Sequence, residues 1–89
     1  MTNEEIRAEE YKEACERLTT EITEAIARSL SHDEKVSVHI DAPIVDINDA
    51  FQIVANLADD YDSSRESDGS EDVYGEFEGE SFRLNLYTA

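Results

Sequence analysis

The chain reads as a single small α+β domain in the order helix, strand, helix, strand, strand, with a three-stranded antiparallel sheet and both helices on one face. Three observations carry that reading. Apolar residues recur at helical spacing between Tyr11 and Ser29, strict alternation marks Lys35 to Asp41, and the segment from Val73 onward folds back on itself with one apolar and one polar side.

Thr2 and Glu5 have the spacing of a capping box, and after them Tyr11, Cys15, Leu18, Ile22, Ala25 and Ser29 follow at steps of four and three. On a helical wheel Ala14 and Ile26 join this stripe, which predicts one long amphipathic helix ending near His32-Asp33-Glu34. Ile6 lies off the stripe, so either the first turns fray or Ile6 touches something other than the core. Glu5, Glu9, Glu13 and Glu16 gather on the opposite side. Like charges at this spacing weaken a helix by a few tenths of a kcal/mol per pair, and only Glu13 with Arg17 and Glu24 with Arg28 are clearly compensated.

Val36, Val38 and Ile40 alternate with Ser37, His39 and Asp41, the pattern of a half-buried strand, and Pro43 ends it because proline cannot donate to a sheet ladder. Asp46 is placed to cap a second helix, whose apolar residues Ala50, Phe51, Val54, Leu57, Ala58 and Tyr61 extend it to about Tyr61. Residues 62–71 hold no apolar side chain and are expected to form an exposed acidic and serine-rich loop. If Gly79-Glu80 makes a two-residue type II′ turn, Phe77 faces Phe82, Gly75 faces Leu84 and Val73 faces Leu86 on the core side. A right-handed crossover through the second helix makes the first two strands parallel in direction. Pairing the first strand with the third then gives an all-antiparallel sheet of order 1-3-2.

Charge is the chain's dominant property: 23 acidic residues against 7 basic ones among 89, a formal net of -16. Solubility needs far less, and each further like charge strains the compact state. The nets over residues 1–31, 32–61 and 62–89 are -4, -6 and -6, so the acid decorates a whole fold instead of forming a tail. Nucleic acid, which is bound through Lys and Arg, is excluded as a direct partner, and anionic membranes are excluded on the same ground. A lone cysteine and the lack of a signal-like amino terminus set the expectation of a cytoplasmic protein, monomeric or homodimeric.

Catalytic equipment is sparse. Cys15 falls in the apolar stripe, where a thiol acts as a small hydrophobe, and His32 and His39 have no ordered metal-ligand spacing. No phosphate-binding or nucleophile motif occurs, so neither an enzyme nor a cofactor is expected. A calcium loop is the one metal pattern with partial geometry: Asp60, Asp62, Ser64, Asp68 and Glu71 take oxygen-bearing positions of a twelve-residue EF-hand, but Arg65 stands where the glycine belongs.

Two partner-binding surfaces remain. One is the helix ridge Glu5, Glu9, Glu13 and Glu16; the other combines the uncovered sheet face with the acidic loop, with Tyr74, Glu76, Tyr87, Asp59, Asp60, Asp62 and Asp68 as its candidates. In size, dispersed acidity and lack of catalytic groups the chain resembles phage-encoded inhibitors such as anti-restriction and anti-CRISPR proteins, although no motif carries that resemblance. It implies a nucleic-acid mimic that fills the basic groove of a DNA- or RNA-handling protein. The alternative is a small accessory domain from a salt-rich cytoplasm, whose acidity is environmental.

Overall fold

The structure, a computed structural model, describes residues 3–40 and 44–88. Helix α1 (Asn3–His32) is followed by strand β1 (Lys35–Ile40), helix α2 (Ile47–Leu57) and strands β2 (Asp60–Arg65), β3 (Glu71–Phe77) and β4 (Glu80–Thr88). The expected Thr2 capping box lies outside the described residues, as do Asp41 and Pro43.

The α+β class holds, but the sheet has four strands in the order β1-β4-β3-β2 and is mixed: β1 runs parallel to β4, and β3 is antiparallel to both β4 and β2. The expected three-stranded antiparallel sheet fails for one reason. Residues 62–65 of the stretch read as a loop belong to strand β2, and one added strand reverses the direction of everything after it. The crossover through α2 does join two strands of the same direction, β1 and β2, which lie at opposite edges.

Helix α2 stops at Leu57, short of Tyr61, because Ala58 turns extended and the Asp59 N–H goes to the Glu76 carbonyl at 2.9 Å. Tyr61 then sits opposite Gly75 on the core side and stacks on Phe51, with ring centroids 6.3 Å apart. At the far end of the β2–β3 hairpin Arg65 Nε meets Glu71 Oε1 at 3.0 Å. Backbone pairing, one aromatic stack and one ion pair thus hold a strand that has almost no apolar side chain of its own.

The β3–β4 turn is also displaced. Glu78 and Gly79 both take positive φ, 51° and 82°, giving a type I′ turn in place of Gly79-Glu80 in type II′. Gly75 therefore pairs with Phe82, and Val73 with Leu84. A slip of two residues leaves each side chain on its expected face. The register requires glycine at position 75: a Cβ there would lie 2.3 Å from Phe82 Cζ.

Beneath the helices Ile22, Ile40, Ala50, Val54, Val73, Phe82, Leu84 and Leu86 are sealed from solvent. Each large apolar side chain so buried contributes about 1.5–3 kcal/mol. α1 packs on β1 and β4, and α2 on β4 and β2. Buried Ser29 fixes the α1 end: its hydroxyl donates to the Glu34 carbonyl (2.6 Å) and accepts the Arg83 N–H (2.9 Å). α2 begins with a complete capping box between Asp46 and Asp49.

Candidate partner-binding surfaces

α1 divides into two unlike halves. From Ala14 onward its stripe of Ala14, Leu18, Ile22, Ala25, Ile26 and Ser29 is buried, whereas every residue from Glu5 to Glu13 is exposed. Thirty residues at 1.5 Å make a rod of about 45 Å, equal to the 45 Å long dimension of the molecule. Its amino-terminal turns therefore project past the packed layers. A hydrogen bond from the Tyr11 hydroxyl to Asp49 Oδ1 ties the projection to the start of α2. Burial pushes the Asp49 carboxyl up, but hydrogen bonds from Tyr11 and from the Asp46 N–H outweigh it and hold the group below its ordinary value. The same bond, which keeps the hydroxyl proton in place, raises the Tyr11 phenol.

Glu9, Glu13 and Glu16 are exposed along the side of α1 turned away from its buried stripe, and Glu5 continues that line. The span from Glu5 to Glu16 is about 17 Å. Ion pairs of the described residues join Arg28 to Glu34, Lys35 to Asp72, Arg65 to Glu71 and Arg83 to Asp33. Arg28 thus serves Glu34, not Glu24 as its helical spacing suggests.

The uncovered sheet face is organised differently. Cross-strand rows place Lys35, Arg83, Tyr74 and Asp62 side by side, and Ser81, Glu76 and Asp60 in the next row. Asp60, Asp62, Tyr74 and Glu76 therefore gather around one shallow hollow, together with Arg83. Tyr87 lies elsewhere, against the His39 ring at 5.3 Å. The face is polarised, acidic toward β2 and basic toward β1.

Two acidic candidates have structural work. Asp59 Oδ2 accepts the Glu78 N–H at 3.0 Å, which braces the hairpin turn. Asp68 Oδ1 accepts both the N–H and the hydroxyl of Ser70, at 2.9 and 2.6 Å, and these bonds hold its carboxyl below the usual range. The calcium pattern does not assemble. Asp60, Asp62 and Ser64 lie along an extended strand, Glu71 is taken by Arg65, and among the described residues no three acidic, histidine or cysteine side chains are arranged to hold a metal ion.

Sequence reasoning missed a buried polar cluster. Asp72, only 3 % exposed, accepts from Asn85 Nδ2 at 2.8 Å, and Lys35 Nζ stands 3.5 Å away. The Asn85 bond, the shared hydrogen bond with Glu66 and Lys35 lower the Asp72 carboxyl against the cost of burial, while that shared hydrogen bond and then the Asp72 charge raise Glu66. The cluster pins the 66–70 loop over one end of the open face. Only the run of residues 62–71 without an apolar side chain before Asp72 was visible in the sequence, and it suggested exposure.

Comparison with protein-family models, with curated proteins and with solved structures finds no match.

Proposed function

We propose that the chain is a non-enzymatic inhibitor of the nucleic-acid-mimic type, whose α1 ridge occupies the basic groove of a DNA- or RNA-handling protein. The supporting observation is the projecting part of α1: a rod from Glu5 to Glu13 that the core does not need, exposed on all sides, whose line of Glu5, Glu9 and Glu13 continues to Glu16 on the outer side of the packed half. The four ridge carboxylates span about 17 Å, one per roughly 5 Å, against one charge per about 3.4 Å on a single nucleic-acid strand. The ridge is the sparser line, and the remaining acids of a surface with net charge -16 add a long-range field that attracts a phosphate-binding groove. The polarised sheet face suits this role less, because Arg83 and Lys35 face the same groove that would have to hold the acids.

Long-range attraction speeds encounter with a basic partner, and carboxylates paired with its Arg and Lys keep the complex together. This reading implies a cytoplasmic site of action beside nucleic-acid machinery. Displacement of fluorescent DNA or RNA from a panel of nucleic-acid-binding proteins, restriction endonucleases and CRISPR effectors tests it. The expected result is displacement from at least one member at 0.1 M salt that fades by 0.5 M, where the screening length falls well below ~10 Å. Displacement from none of them, or displacement indifferent to salt, rejects the proposal. Unfolding at low salt with recovery only in multimolar potassium chloride would favour the environmental reading of the acidity.

A further inference from the structure

Behind the acidic ridge α1 changes character. Thr23, Ala27 and Leu30 occupy the same angular sector as Glu5, Glu9 and Glu16, and with Ile26, Leu57 and Phe77 they line an open groove of about 170 Å³. Its walls are carbon apart from the Thr23 hydroxyl. An apolar cavity of about 150 Å³ accepts a benzene-sized group, so the groove matches one large apolar side chain. Leu30, Leu57 and Phe77 stay half-buried at its edges.

Both approaches to the groove are acidic. Just beyond Leu57 and Phe77 the chain carries Asp59 and Glu78, held together through the Glu78 N–H and Asp59 Oδ2. In the other direction the same side of α1 leads to Glu16 and Glu13. None of the groove-lining residues is basic. A second copy of this chain would bring its own net charge of -16 against these acids, so self-association through the groove is opposed by charge.

We infer that this groove seats one apolar anchor side chain of a basic partner segment, with Lys or Arg flanking the anchor and meeting Asp59 and Glu78 on one side and the α1 ridge on the other. The inference rests on the proposed charge-driven binding and adds an apolar, salt-resistant component to it. The groove confers on a partner what charge alone does not, namely selection among basic surfaces.

Two fluorescent sixteen-residue peptides of equal positive charge test it, one with a central Leu or Phe anchor among lysines and one with Gln in that place. At 0.3 M salt the anchored peptide is expected to bind at least tenfold more tightly, as burial of one such side chain predicts. Amide resonances of Ala27, Leu30 and Phe77 should shift on its addition. Ala27→Trp, which fills the groove from an exposed helix position, should erase the preference while leaving salt-sensitive binding of both peptides, with the circular dichroism melt confirming the fold. Equal affinity of the two peptides, or a preference that survives Ala27→Trp, overturns the groove assignment and leaves charge-driven binding standing. Failure of both peptides to bind at 0.05 M salt overturns both. A stable dimer in sedimentation whose contacts shift those same amides overturns the assignment in favour of self-association.

Discussion

The two halves of α1 share one helix but answer to different physics. From Ala14 to Ser29 the spacing of apolar residues follows the core, and Ile22 is fully enclosed. From Glu5 to Glu13 the helix buries nothing and stacks like charges at i and i+4, which costs it stability. A segment that buries nothing yet extends the longest element of the molecule fits the binding role proposed for it better than a role in packing. The difference teaches that burial and charge patterning in one continuous helix separate the part that folding requires from the part to which we assign binding.

The packed half sets the largest expected effect. Ile22→Ala leaves a cavity under the sheet and should lower the unfolding free energy by about 2–5 kcal/mol in urea denaturation. A loss below about 1 kcal/mol would mean that the halves are not as unlike as their burial states. Next comes the sheet that the packed half covers. Gly75→Ala drives a methyl into the enclosed Phe82 ring and should cost about 1–3 kcal/mol, with part of the loss recovered in Gly75→Ala/Phe82→Leu. Equal stability of both variants would contradict the observed register.

A smaller effect probes the joint between the halves. Asp49 and Asp72 have carboxyls below their ordinary values when folded, so the stability they contribute is present above the unfolded value near 3.9 and is lost as pH falls through the folded one. Glu66 is raised, so its contribution is present below about 4.3 and is lost as pH rises through its folded value. The two signs place maximal stability above the unfolded aspartate value and below the raised folded value of Glu66, and Tyr11→Phe should diminish the loss on the acid side by removing the bond that lowers Asp49. Thermal melts across pH 2.5–8 check this; a monotonic rise in stability toward pH 8 would contradict it.

Much of this architecture was legible in the sequence wherever burial imposed a period. The stripe on α1, the alternation in β1 and the Asp46 cap all depend on local side-chain chemistry, and they were found close to their observed bounds. β2 was not legible because Asp60–Arg65 is an edge strand held by the backbone of β3, a partner that periodicity cannot name. The sheet order failed as a consequence. The hairpin register was off by two because Glu78-Gly79 and Gly79-Glu80 are both acceptable turns, and the choice falls to the contact of Gly75 with Phe82. Of the site, the ridge was visible from the wheel, whereas the groove behind it needs Leu57 and Phe77 brought from other elements.

The central claim is that the projecting half of α1 serves binding and not folding. Reversing three charges of the ridge that this half begins, Glu9→Lys, Glu13→Lys and Glu16→Lys together, tests it in one protein by measuring urea stability and nucleic-acid displacement side by side. The unfolding free energy should move by less than about 0.5 kcal/mol, as for surface changes without buried partners, while displacement at 0.1 M salt falls at least tenfold. Undiminished displacement, or a loss of stability comparable to that of Ile22→Ala, would contradict it.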